Sequence, residues 1–375
     1  MKMHVRYSLF TLSVILFLIA CGKKDNNKPK PDVKFLDSIS YINDVAKVWK
    51  NGTATSLTDG TKNAAATSVY VSGNDVFVTG YDGNVAKVWK NGVAIPLNDG
   101  TVRASANSVY VTDKDVYVAG YEFKNGRRAA MVWKNGVAMP LTDGSSEAIA
   151  YSVYVSGGDT YVVGFKSNLI SNIATLWKNG VAISLTSRNL PSNATSVYVS
   201  GYDVYVAGYE IDQNNNTARL WKNGVVMPLS DDFKYTNLNS VYVSGNDIFV
   251  AGNKIHADTI FAKVWENNTG LLLAHDDLKI ISANSVYVAG NDVYVAGYDT
   301  EGTETTTSQN GNVSMIAGHP AAKIWKNGIG TLLTKAPKDG YALSVFVSSG
   351  TYMLPGLNVL SEMNNNSSFI APAFD

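Results

Sequence analysis

The chain has 375 residues, with 31 basic and 31 acidic side chains, 17% charged residues and 45% hydrophobic ones. The balanced charge leaves no electrostatic footprint for nucleic acid. The length far exceeds one ordinary core, which points to several domains or a repeat architecture.

Lys2 and Arg6 precede an unbroken run of low polarity over residues 9–20, the charged-then-apolar order of an export signal. The run is shorter than the ~20 apolar residues that a membrane-spanning helix needs. It ends in Leu18-Ile19-Ala20-Cys21, which resembles the lipobox of bacterial lipoproteins, whose cysteine is diacylated and becomes the mature N-terminus. Cys21 is the only cysteine of the chain. A free thiol or an intermolecular bridge is the alternative, and the position of Cys21 directly after the apolar run favours lipidation. Gly22 at the next position resembles the outer-membrane-directed kind, with the leaflet left open. Residues 22–32 are polar and charged with two prolines, a composition that buries too little apolar surface to fold and reads as a tether. The folded domain is expected over 33–375.

Seven tryptophans mark an internal period: Trp49, Trp89, Trp133, Trp177, Trp221, Trp265 and Trp325, spaced by 40, then four times by 44, then by 60. Around each lie four short runs rich in Val, Ile, Tyr and Trp, separated by Gly, Asn and Asp, the pattern of strands joined by tight turns. In one repeat they read SVYV (strand a), DVYVAGY (b), AKVWKNG (c) and VAIPL (d). Lys-Asn-Gly between c and d is a strong hairpin signal, because Asn and Gly tolerate the positive φ of a two-residue turn. Four antiparallel strands in ~44 residues is the arithmetic of one β-propeller blade. The folded part opens with a c–d pair at Trp49 and closes with an a–b pair at Ser344-Val345-Phe346-Val347 and Tyr352-Met353-Leu354. Six complete blades lie between, and joining the two half-blades predicts an all-β, seven-bladed propeller with no exposed sheet edge where the ends meet.

The repeats resemble the extracellular HAF repeats of bacterial proteins. The matching residues are Trp133-Lys134-Asn135-Gly136, Leu141-Thr142-Asp143-Gly144, Ser152-Val153-Tyr154-Val155 and Val162-Val163-Gly164, and the resemblance covers residues 46 to about 356. Asp-Val-Tyr-Val-Ala-Gly departs from the Gly-Gln-Val-Val-Gly type of strand that those repeats favour. The resemblance implies an exported propeller.

In such a fold the a–b and c–d turns fall on one face and the b–c and d–a loops on the other. The turn face is monotonous. The loop face varies, above all at 122–128, 166–172, 210–217 and the insertion 299–320, which reads as a polar flap with a short apolar segment at 313–316. Binding residues tend to sit on variable loops held by a rigid scaffold. An aromatic closes strand b at Tyr81, Tyr121, Phe165, Tyr209 and Tyr298; these five could form stacking platforms for a sugar or peptide, or wedge between blades, and repetition favours the wedge. Residues just before strand a (Thr67, Asn107, Tyr151, Thr195, Asn239, Asn284 and Leu343) should rim the channel. There they could coordinate a ligand or ion, or line a wet channel, which is the favoured reading.

His256, His275 and His319 fall on the loop face near Asp258, Asp276 and Asp277, without a fixed metal-ligand spacing. No metal and no cofactor is expected. Ser-His-Asp order, H-E-x-x-H, P-loop and dinucleotide fingerprints are missing from the sequence. Glu122, Glu210, Asp231 and Asp232 could supply a glycosidase pair, a chemistry that depends on their separation in space. The sequence therefore reads as a lipid-anchored, monomeric envelope module that binds a glycan, peptide or protein through its loop face. A polysaccharide hydrolase or lyase and a structural or assembly component are the alternatives.

Overall fold

The computed structural model describes residues 45–363 except 51, 187–189, 213–214, 231–234, 257–258, 274–280, 302–303, 308–312, 317–318, 335–338 and 348–356. Cys21, the signal and the tether lie outside the described residues.

The fold is a β-propeller of four-stranded antiparallel blades. In the first complete blade, strands a (Ala64–Ser72), b (Asp75–Asp82), c (Val85–Lys90) and d (Val93–Pro96) follow one another in space as in sequence. The c–d turn uses Asn91 at φ 50° and Gly92 at φ 83°, the left-handed pair that a two-residue hairpin requires. Strand a is innermost. Strand d is outermost and exposed along its whole length, and it has only four residues, two features that blunt an unpaired sheet edge.

The count of seven is corrected to six: six blades are complete four-stranded repeats, beginning at Ala64, Ala104, Ala148, Ser192, Thr236 and Ile281. The chain ends build a composite sheet that is not a further copy of the repeat. Its order is Thr53–Ser56, Val45–Lys50, Leu357–Met363, Asp339–Val345. Tyr352-Met353-Leu354, expected as its second strand, lies outside the described residues, and the strand that pairs there is Leu357–Met363, which lacks the Asp-Val-Tyr-Val-Ala-Gly sequence. The insertion also differs from a plain flap, since Glu304–Thr307 pairs with Val313–Ile316 as a two-stranded hairpin.

The core sits between blades. The tryptophan of each strand c is 2% exposed or less and packs in a cluster shared with the preceding sheet: Trp133 with Phe77, Ala86, Val88 and Leu97, and Trp221 with Tyr161, Val163 and Leu176. Burying rings of this size dominates the energetics of such an interface. The sheets are therefore rigidly stacked about the axis, and equivalent residues of successive blades become neighbours.

Candidate functional site

On the turn face each blade closes on itself. Asp75 accepts a hydrogen bond from Asn91 Nδ2 at 2.8 Å and pairs with Lys90 Nζ at 2.5 Å, while the Val76 N–H donates to Asn91 Oδ1 at 2.8 Å. Asp115, Asp159, Asp203 and Asp292 repeat the arrangement with Lys134, Lys178, Lys222 and Lys326 and with the asparagines that follow them. The lysine, and after it the asparagine, holds each of these carboxyls below the usual range. The same lysines lie 5.1–5.4 Å from a strand-b aromatic ring. In the fifth blade Asp247 keeps its asparagine, Asn267, and Glu266 stands where the lysine should be.

The channel carries two circles of side chains that sequence reading missed. Tyr70, Tyr110, Tyr154, Tyr198, Tyr242, Tyr287 and Phe346, all half-buried, touch one another in a closed circle with ring centroids 4.5–5.0 Å apart. Six come from the blades and Phe346 from the composite sheet. The six tyrosines each bring a hydroxyl to the circle, and Phe346 brings none. Two residues nearer the loop face, the serines of successive strands a accept the valine N–H of the next sheet at 3.1–3.4 Å, from Ser68 with Val109 round to Ser344 with Val69. These bonds satisfy backbone donors that the inner edge strand would otherwise point at the channel.

Burial raises the pKa of Tyr70, Tyr154, Tyr198 and Tyr287, and pushes that of Tyr242 up to about 12. An unfolded tyrosine ionises near ~10. These tyrosines therefore add stability that is fully present below that value and lost as the pH climbs through the folded one. The melting temperature is expected to hold up to about pH 10 and to fall steeply towards pH 12, with tyrosinate absorbance appearing together with unfolding. Ionisation of every tyrosine near its ordinary pKa in a still-folded protein would contradict a packed circle.

The residues expected to rim the channel sit on a β-bulge that recurs in strand a, and most of the polar ones bridge to the next sheet. Thr67 Oγ1 donates to the Ala106 carbonyl at 2.6 Å and Thr195 Oγ1 to that of Leu238 at 2.7 Å. Asn107, Asn239 and Asn284 donate through Nδ2 to the carbonyls of Ala150, Ala283 and Ala342 at 2.7–2.9 Å. Among the strand-b aromatics, Tyr81, Tyr121, Phe165 and Tyr209 are 8%, 7%, 2% and 1% exposed, and Tyr298 alone is half-buried. Tyr209 accepts from Asn193 Nδ2 at 3.0 Å, and burial pushes its hydroxyl pKa up to about 12.

Beyond these aromatics the loop face changes from blade to blade. Asp82 pairs with Lys87 at 2.5 Å, Arg128 with Glu147, Glu210 with Arg219 at 2.7 Å and Asp299 with Lys323 at 2.7 Å. Glu210 is 5% exposed and committed to its arginine. Asp231 and Asp232 lie outside the described residues, as do Asp258, His275, Asp276 and Asp277 and the side chains of His256 and His319. The described residues hold no group of three or more His, Cys, Asp and Glu that could bind a metal. An open depression of about 370 Å³ lies between the composite sheet and the first blade, lined by Thr58, Asp59, Lys62 and Asp82 among others.

No protein-family description and no curated protein matches the chain. Among solved structures it is similar to an acylaminoacyl peptidase of Pyrococcus horikoshii, at 13% identity and a TM-score of 0.46 over 76% of this chain and 46% of that one. It thus spans less than half of the peptidase. A putative TolB from Agrobacterium tumefaciens is similar at 7% identity and a TM-score of 0.41, over 88% of this chain and 94% of that one. The β-propeller domain of the Trilobed protease from Pyrococcus furiosus, described as having an open velcro topology, is similar at 9% identity and a TM-score of 0.44, over 76% and 83%. These likenesses concern the fold alone.

Proposed function

We propose that the chain is a cell-envelope binding module, anchored through a lipid on Cys21, that takes a glycan, peptide or protein at its loop face. The observation that supports this reading is the contrast between the two faces. Five blades repeat one Asp-Lys-Asn clasp on the turn face, whose polar groups are spent on one another. Where strand b ends and strand c begins, the blades differ in charge, pairing and loop length. A symmetric scaffold has no packing reason to vary there, whereas a recognition surface does.

The test is photo-crosslinking in intact cells, with the reactive side chain placed either at Leu169, on a loop-face tip and 77% exposed, or at Tyr202, on a turn-face tip and fully exposed. Adducts of raised mass are expected from Leu169 and not from Tyr202. Equal adducts from both, or adducts from Tyr202 alone, would overturn the assignment. The anchor is tested separately: Cys21→Ser should move the protein from the membrane to the soluble fraction.

A further inference from the structure

One sector of the loop-face mouth breaks the repeat at several positions together. Where the other blades end strand b in Tyr or Phe, the fifth has Asn253, and opposite it on strand a stands Asn237. Asn253 reaches across to the sixth blade: Nδ2 meets Ser282 Oγ at 2.9 Å, and Oδ1 accepts from the Ala283 N–H at 2.9 Å. Ser282 Oγ also donates to Asn284 Oδ1 at 2.7 Å. The equivalent bond in the second blade runs from Ser105 to Asn107. The fifth blade has lost it, because Asn237 occupies the serine's place before Asn239.

Two buried acceptors are left over. Asn237 is 3% exposed, and among the described residues neither its Oδ1 nor that of Asn239 has a hydrogen-bond partner. A buried acceptor left without a donor is costly, so a group that supplies donors would bind there with gain. A fixed anion would face the lone pairs of these amide oxygens. A divalent cation takes about six or more oxygen ligands with carboxylates among them, and the described residues gather no group of three acidic, histidine or cysteine side chains. What suits the sector is a neutral ligand whose neighbouring hydroxyls both donate and accept, as a carboxamide does on the other side of the contact. Beside it, Tyr298 packs edge-on against Tyr341 with centroids 4.5 Å apart, and of the five aromatics that close strand b it is the one that is half-buried rather than buried. A tyrosine ring next to amides offers a π face for the C–H side of a sugar and a hydroxyl at its edge.

We infer that the mouth of the channel between the fifth and sixth blades, at Asn237, Asn239, Asn253 and Tyr298, is a subsite for a neutral saccharide. This rests on the loop-face reading above and narrows its ligand class.

The fourth blade supplies a fold-preserving variant, because Asn193 and Tyr209 form a hydrogen-bonded cross-strand pair at the positions of Asn237 and Asn253. Asn253→Tyr therefore gives the fifth blade the pair its neighbour already contains. The full chain, held in a detergent that carries no sugar, is titrated by calorimetry with cellobiose, maltose, xylobiose and chitobiose, and with glucuronate as the charged counterpart. Binding of at least one neutral disaccharide is expected, weakened by about tenfold or more in Asn253→Tyr, as for the loss of one or two hydrogen bonds at a buried polar site. The melting temperature should stay within a few degrees of wild type. If no neutral disaccharide binds, or glucuronate binds better, the saccharide class is wrong, while loop-face crosslinks would leave the broader reading in place. Binding that Asn253→Tyr leaves unchanged overturns the sector.

Discussion

Gly208→Ala is expected to destabilise the protein by about 3 kcal/mol or more, and to lower its melting temperature by roughly 5–10 °C. Gly208 lies in strand b with no left-handed φ, so its backbone conformation does not demand glycine. Space does. A methyl group there would sit 2.1 Å from the Asn193 carbonyl oxygen and 3.0 Å from both the Ala194 Cα and the Trp221 ring. The β-bulge at Ala194/Ser196 pushes the strand-a carbonyl across the glycine, and the fully buried tryptophan blocks retreat on the other side. Gly80, Gly120, Gly164, Gly252 and Gly297 stand at the same crossing, with carbonyl oxygens 1.7–2.2 Å from the missing carbon. Gly201→Ala is the control: it sits in an open turn at φ 59°, and only the cost of a left-handed residue, roughly 1 kcal/mol, is expected. Thermal melts in which both variants behave alike would contradict the close approach.

Ending the chain before Leu357 is expected to have the larger effect. Leu357–Met363 pairs with Val45–Lys50 over six residues and with Asp339–Val345 on its other side. Without it the first strand and the last lose their common ladder, and Trp49, 2% exposed, loses the sheet on which it is held. The circle of aromatics then opens where Phe346 bridges Tyr70 and Tyr287 at 4.9 and 5.0 Å. A loss on the order of 5 kcal/mol follows from exposing a buried tryptophan and the apolar residues around it. The truncated chain should melt well below the full one and bind a dye specific for exposed apolar surface. A truncated chain that melts with the full one would show that the composite sheet holds nothing together.

What the sequence by itself determined is what depends on neighbours within one blade. The 44-residue period, the alternation of SVYV and the Asn-Gly turns specify strands and hairpins locally, and a tryptophan once per repeat marks the core. Contacts between blades join residues some 44 positions apart, and only the stacking of rigid sheets decides them. Tyr70 and its equivalents read as ordinary strand residues until the closed circle makes each the neighbour of the next. The polar residues before strand a read as a channel rim, yet the bulge turns Thr67, Asn107, Thr195, Asn239 and Asn284 towards a carbonyl of the next sheet. The strand-b aromatics could stack or wedge on sequence grounds, and burial separates Tyr298 from the other four. The number of complete blades was decided by which strand the C-terminal segment offers to Val45–Lys50. Asn237 and Asn253 carried no signal of their own in the sequence. They gain one only when cross-strand pairing sets two amides where the other repeats place an aromatic ring, and when the packing leaves their sector with two buried oxygens that no donor among the described residues reaches.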